Sequence, residues 1–394
     1  MNFDTFNFHP EISAAVTAAG YCVPTPIQAQ TIPIILQGHD VVGLAQTGTG
    51  KTAAYLLPLL NRLTKKRNGK TSVLILAPTR ELAEQIYQDS KKLAGTAAAR
   101  SLTLYGGVGL APQIQALKKG ADIVIACPGR LIDHIQRGHV DFSGLDALVV
   151  DEADQMLDMG FIPDIRRILK HIPRRRQTLM FSATMRPEIK RLANEMLYQP
   201  VTVQIGIPAP ATTVSHTHFP VSQHLKNSLL FKILQNTQFS SMLIFTRTKH
   251  RAKRLSESLL RAGYDSASLQ GNLSQARRKA ALSSFRTGKV RILVATDIAA
   301  RGIDVPGVSH VVNYDIPATA EDYIHRIGRT GRAERKGMAF NLITGEDQPI
   351  VRSIDRILGA VVENRTFSDF DYTARPVAKT GGLSRAAATT KFTR

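Results

Sequence analysis

Short aliphatic runs recur along the whole chain, each set off from the next by a stretch of helical periodicity, and no other feature restricts the fold as strongly. The runs are Val41–Ala45, Val73–Ala77, Ile123–Ala126, Leu148–Val150 and Thr178–Phe181, then Met242–Phe245, Ile292–Ala295, His310–Asn313 and Ala339–Ile343. They are rich in Val, Ile and Leu and largely lack polar–apolar alternation. A strand with one wet face would show that alternation, so these read as parallel strands covered on both faces. Helical stretches such as Thr52–Leu63, Glu81–Leu93 and Lys249–Ala262 lie between them. Repeated strand, helix, strand predicts an α/β fold, doubly wound, with a mostly parallel sheet.

With 394 residues the chain exceeds one ordinary core and suits two units of ~150–200 residues. A hydrophobic content of 43% supplies a core to each. Residues 206–213 read GIPAPATT, with two prolines and no charge, and the pattern on either side is similar. The expected division is therefore 1–207, a linker at 208–216, a second unit at 217–366, and a flexible basic tail at 367–394 where apolar periodicity is lost.

The formal net charge is +20. So basic a surface points to a polyanionic partner, nucleic acid before anionic membrane. Cys22 and Cys127 have no CxxC or Cys/His spacing around them, which excludes a disulfide framework and a zinc site and suits a reducing cytoplasm. The N-terminus lacks a basic segment followed by an apolar run, and no apolar stretch reaches the ~18–20 residues of a membrane span. The expectation is a soluble cytoplasmic protein.

Chemistry enters with AQTGTGKT, comprising Ala45, Gln46, Thr47, Gly48, Thr49, Gly50, Lys51 and Thr52, between a strand and a helix. Glycines let backbone N–H groups turn inward around phosphates at a helix N-terminus, Lys51 reaches the β/γ-phosphates, and Thr52 holds Mg²⁺. The segment LVVDEAD ends a strand in acids. Asp151 suits a metal, and Glu152 suits a base for the attacking water. The bland alternative is that acids at a helix start meet its dipole favourably.

PTPIQ supports two readings. Thr25, Pro26 and Gln28 form a helix start with a capping box, while a glutamine amide also matches an adenine edge. In the second half, HRIGRTGR places Arg326, Arg329 and Arg332 three apart. Guanidinium forks fit phosphate oxygens, either of RNA or of the ATP γ-phosphate. The second half has no GKT of its own, which favours a single nucleotide held between the units.

Taken in order, GYCVPTPIQ, AQTGTGKT, PTREL, Gly106-Gly107, CPGR, DEAD, Ser182-Ala183-Thr184, IFTRTK, ATDIAARGID and HRIGRTGR resemble the motif series of the DEAD-box RNA helicases. The resemblance spans residues 3 to about 360. Ile244–His250 and Gln270–Asn272 are similar to the bacterial RhlE-type subgroup. The resemblance implies two tandem RecA-like domains and ATP-dependent local unwinding of short RNA duplexes, without sequence preference.

It also implies roles. Gln28 matches the glutamine that reads adenine, Phe3 the upstream aromatic on the base, and Asp304 a ribose contact. Arg329 and Arg332 match arginine fingers, His325 and Arg326 match residues coupling the cleft to the DEAD segment, and Ser182 and Thr184 match the link from hydrolysis to strand separation. RNA contacts fall on Pro78, Thr79, Arg80, Gly106, Gly107, Gly129 and Arg130, with Thr248, Lys249, Gly271 and Thr296 from the second unit. Such phosphate and sugar contacts position a strand without reading it, and contacts to the 2′-OH favour RNA. One departure is CPGR, where Cys127 stands in place of the family's threonine with only a weak S–H donor. ATP and Mg²⁺ are the implied cofactors; RNA is the implied partner, with ribosomal precursors or the RNA-decay machinery as settings.

Overall fold

The structure is a computed structural model that describes residues 2–46, 48–65, 69–97, 99–205, 214–300, 308–331 and 336–375. Two seven-stranded sheets form, and every pairing between their strands is parallel. The first contains β1 (Val41–Leu44), β2 (Val73–Leu76), β3 (Ser101–Leu104), β4 (Ile123–Ala126), β5 (Ala147–Val150), β6 (Gln177–Ser182) and β7 (Val201–Gln204), in spatial order β3-β4-β2-β5-β6-β1-β7. The second contains β8 (Val214–Pro220), β9 (Met242–Phe245), β10 (Ser266–Leu269), β11 (Ile292–Ala295), β12 (His310–Asn313), β13 (Gly337–Ile343) and β14 (Glu363–Asn364), in order β10-β11-β9-β12-β13-β8-β14.

The unalternating strands have the cause anticipated. Successive residues point to opposite faces, and helices cover both. Val42, Leu44, Leu74, Leu76, Val124, Leu148 and Val150 enter one core, while Val41, Val73, Ile75, Ile123, Ile125 and Val149 enter the other. In the second sheet Met242, Ile244, Ile292 and Val294 part in the same way from Leu243, Phe245, Leu293 and Ala295. Among the described residues, no helix is long and apolar enough to cross a membrane.

Two boundary expectations change. Residues 214–216, assigned to the linker, pair with β13 as the start of β8. The tail expected from Phe367 begins later. Phe367 stacks on Phe219 with centroids 5.8 Å apart, and Phe370, Tyr372 and Ala374 pack against the same core. Lys232 holds Asp369. The short aromatic run shows no periodicity because it forms no helix or strand, yet its rings are half-buried against the core that the helix Lys226–Gln235 and β8 help build. Residues 376–394 lie outside the described part, as do 206–213.

Candidate functional site

Strand order sorts motifs that the sequence interleaves. β5, β6 and β1 are neighbours, and their carboxyl ends carry Asp151-Glu152, Ser182 and the loop from Ala45. β3, β4 and β2 form the other half of the same edge and carry Gly106-Gly107, Gly129-Arg130 and Pro78-Thr79-Arg80. One sheet edge therefore presents a phosphate-loop half and a basic half. The second sheet repeats the division, with Gly271, Thr296 and Thr248-Lys249 following β10, β11 and β9. Ligands of open α/β sheets bind at such carboxyl edges.

The phosphate loop closes on itself. Lys51 is buried and donates from Nζ to the Ala45 carbonyl at 2.7 Å, and Thr49 Oγ1 donates to the Gln46 carbonyl at 2.8 Å. Gln28 sits against this loop with 1% exposure. Its Oε1 accepts the Thr25 N–H at 2.9 Å, its share of the capping box, and its Nε2 donates to the Gly50 carbonyl at 3.1 Å. One side chain thus ties the PTPIQ helix to the loop. Phe3 is buried and packs edge-on against Phe6 and Tyr21.

Asp151 is held at both oxygens: Oδ1 accepts the Glu152 N–H at 2.9 Å, and Oδ2 accepts the Tyr55 hydroxyl at 2.9 Å. Burial raises its carboxyl above the ordinary range against the pull of Lys51. Glu152 takes a left-handed backbone, φ 51° and ψ 53°. That costs a non-glycine residue ~1–3 kcal/mol and is kept where it positions a group. Burial pushes its carboxyl up to about 7, with Lys51 opposing, Asp151 reinforcing and Arg329 opposing. Arg329 comes from the second half of the chain, is itself buried, and its charge acts on this carboxylate. A buried acid poised near neutrality and facing cations marks a reactive cleft.

Asp154 links the acids to β6. Its Oδ2 accepts the Ala183 N–H at 3.1 Å and the Thr184 hydroxyl at 3.5 Å, while Ser182 Oγ donates to the Thr184 carbonyl at 2.8 Å. Arg186 donates to the Asp154 carbonyl and pairs with Asp158 at 2.6 Å. Arg326 is engaged inside its own unit. Its fork binds Asp297 at 2.6 and 2.7 Å, and its Nη1 reaches Asn313 and the Asp315 carbonyl. The structure ties Arg326 to Asp297, the residue that opens the short helix after β11. His325 lines a small crevice with Asp297, Asp322 and Arg329. Thr47, Asp304 and Arg332 lie outside the described residues.

On the basic half a cavity of about 310 Å³ is lined by Pro78, Thr79, Arg80, Gly106, Gly129, Arg130 and, from the second unit, Gly271. Gly107 has φ +78°, and a Cβ there would run into the Arg80 guanidinium, so the loop needs glycine. Thr79 and Thr248 are matching N-caps: each hydroxyl accepts an N–H, from Leu82 and Arg251, at 3.2 Å. Both helix N-termini, favourable sites for anions, thereby reach the basic edge. Lys249 donates to Asn272 at 3.0 Å beside Gly271. Thr296 follows β11, directly before the short helix Asp297–Ala300.

Sequence reading missed the closure of this side. Arg278 pairs with Glu81 across the two units at 2.7 Å, each side chain only 10% exposed, and Gln275 approaches the same carboxylate at 3.5 Å. These residues are 197 and 194 positions apart, so no local pattern announces them. Met159 and Phe161 also line the cavity, and their flanking of the DEAD helix was the available hint.

A cleft that joins a phosphate loop, an acidic pair and an opposing arginine between two parallel sheets defines a two-domain nucleotide-driven motor with RecA-like halves. Family models described as "DEAD/DEAH box helicase" and "Helicase conserved C-terminal domain" match residues 25–192 and 225–334. The chain belongs to the DEAD-box ATP-dependent RNA helicases. It is 42% identical over 359 residues to the DEAD-box ATP-dependent RNA helicase CshA of Bacillus subtilis, covering 90% of this chain and 72% of that one. It is also 42% identical over 376 residues to the ATP-dependent RNA helicase DeaD of Buchnera aphidicola, covering 94% and 62%.

Among solved structures, a DEAD box protein of Methanococcus jannaschii is 36% identical, with 93% and 99% of the two chains covered, at a TM-score of 0.53. Dbp5 of S. cerevisiae bound to RNA and ADP BeF3 is only 28% identical, with 92% and 94% covered, yet reaches 0.80. Mss116 bound to ssRNA and UDP-BeF, also 28% identical with 94% and 80% covered, reaches 0.83. These likenesses extend over both units together. The Glu81–Arg278 pair joins the two units in this arrangement.

Proposed function

We propose that one ATP is bound between residues 1–207 and the second unit, and that its hydrolysis times the grip on a bent RNA strand. Lys51 exchanges the Ala45 carbonyl for the β/γ-phosphates, and the N–H groups from Gln46 to Thr52 cradle them. Gln28 selects adenine with the faces of its amide left free by Thr25 and Gly50, and Phe3 and Asp304 complete the nucleoside contacts. Glu152 accepts the proton of the attacking water. Arg329, with Arg332 beside it in sequence, stabilises charge on the γ-phosphate only when the units close, and His325 lies beside that approach.

Mg²⁺ fits the donor set: an ionisable carboxylate and a hydroxyl, both hard oxygen ligands, converge through Tyr55, which is hydrogen-bonded to Asp151 and lies within hydrogen-bonding reach of Thr52. Asp151 and Thr52 would hold it, and when bound it neutralises phosphate charge. Ser182, Thr184 and Asp154 carry the state of the cleft to the helix Pro187–Met196.

RNA lies along Pro78–Arg80, Gly106-Gly107, Gly129-Arg130, Thr248-Lys249, Gly271 and Thr296, held by backbone contacts. Closure bends one strand, the complementary strand leaves, and phosphate release reopens the cleft. A cytoplasmic setting, with ribosomal precursors or decay intermediates as substrates, suits a helicase indifferent to sequence. The RhlE-type assignment rests on the segments at 244–250 and 270–272. The burial together of Lys51, Asp151, Glu152 and, from the second unit, Arg329 supports this reading. Glu152→Gln tests it: the variant should bind ATP and RNA together but turn over at least ~100-fold more slowly. Turnover at the wild-type rate would remove Glu152 as the base.

A further inference from the structure

Tyr55 is, with Tyr323, one of the two largest fully buried side chains of the described residues, and it carries a hydroxyl where the surroundings ask only for a ring. It lies one turn into the helix Lys51–Lys65, four residues after Lys51 and three after Thr52. Its ring packs on Phe181 of β6 with centroids 5.3 Å apart. Phe181 in turn lies across Gly43 of β1, where any Cβ would collide with the ring. The aromatic pair is thus seated from below by a strand residue without a side chain. The Tyr55 hydroxyl emerges at the Asp151 carboxylate, donating to Oδ2 at 2.9 Å, and the Thr52 hydroxyl lies in hydrogen-bonding reach of that same phenol oxygen of Tyr55.

We propose that Tyr55 is a positioning residue for the magnesium–nucleotide site, its phenol fixing one oxygen of Asp151 and aligning that carboxylate with the Thr52 hydroxyl before nucleotide arrives. This rests on the reading of Asp151 and Thr52 as the donors to Mg²⁺. Without the phenol, Oδ2 is a buried oxygen lacking its donor and only the Glu152 N–H orients the carboxylate. A carboxylate held at one end turns toward whatever donor remains, Lys51 included. Partners that orient metal-binding side chains in this way typically contribute 10- to 100-fold to metal affinity. The ring alone explains the packing on Phe181; the hydroxyl is explained by the carboxylate.

The test uses the full chain and a fluorescent ADP, with affinity measured in excess Mg²⁺ and again in EDTA. The ratio of the two affinities reports Mg²⁺ coupling and is blind to general loss of folded protein. Tyr55→Phe keeps the ring on Phe181 and should lower the ratio about tenfold, leaving the EDTA affinity within about twofold of wild type. Asp151→Asn should abolish most of the coupling, and adding Tyr55→Phe to it should change nothing further. A wild-type or raised ratio in Tyr55→Phe, beside a collapsed ratio in Asp151→Asn, overturns the role of Tyr55 alone. Equal losses with Mg²⁺ and with EDTA make Tyr55 merely structural and also overturn it. An unchanged ratio in Asp151→Asn overturns the reading of the metal donors, and the inference with it.

Discussion

Glu81→Ala removes one partner of an ion pair between the two units, which joins a helix start of the first sheet to a helix of the second. Removing one member of a fully buried pair costs ~3–5 kcal/mol, because the other charge is left without its counterion. Here each side chain keeps 10% of its exposure, and Arg278 retains the Gln270 and Ala299 carbonyls at 3.3 and 3.5 Å. A cost of ~2–3 kcal/mol follows. It falls on the closed arrangement alone, since opening returns both groups to water. The closure equilibrium should therefore shift roughly 30- to 150-fold. RNA affinity measured with a non-hydrolysable ATP analogue reports that shift, while ADP affinity without RNA should hold. Because Glu81 adjoins Arg80 in the cavity proposed to take RNA, the decisive measurement is a double-mutant cycle with Arg278→Ala. Coupling below ~0.5 kcal/mol would mean the pair does not contribute to closure.

Arg329→Ala should leave ADP binding unchanged and slow RNA-stimulated hydrolysis by ~10³ or more, the usual worth of an arginine finger; single-turnover hydrolysis checks it, and a loss under tenfold would assign Arg329 to structure. Cys127 is the N-cap of the helix Pro128–Gln136 but makes no side-chain cap. Cys127→Thr should add ~1 kcal/mol in a urea melt, as a hydroxyl accepts an N–H of the first turn. Ending the chain at residue 366 should destabilise the second unit by ~2–4 kcal/mol, since half-buried Phe367, Phe370 and Tyr372 leave its core. Ending it at 375 should leave the melt unchanged and, by removing Lys379, Arg385, Lys391 and Arg394, flatten the salt dependence of RNA binding.

Local chemistry in the sequence determined much of this protein. Strands buried on both faces are legible because they are continuous aliphatic runs, and nine of them were read so. Those missed were β3, β7, β8, β10 and β14, of which β3, β7, β10 and β14 are sheet edges. Ser101–Leu104 alternates in burial, and Val201–Gln204 buries only Val203, so neither carries enough apolar surface to stand out. The phosphate loop, the capping box at Thr25–Gln28 and the acids after β5 are likewise local, each fixed by neighbours within a few residues. Strand order is not local. It depends on which helix packs on which face, and it alone gathers β5, β6 and β1 into one half of an edge and β3, β4 and β2 into the other. Tertiary structure alone also brought Tyr55 to Asp151 across 96 positions and Glu81 to Arg278 across 197. It turned Arg326 inward to Asp297 and packed the aromatic run after residue 366 against the second core. A hydrogen bond or ion pair between distant segments leaves no periodicity in either one; it exists only once both backbones are held in place by cores built from other residues.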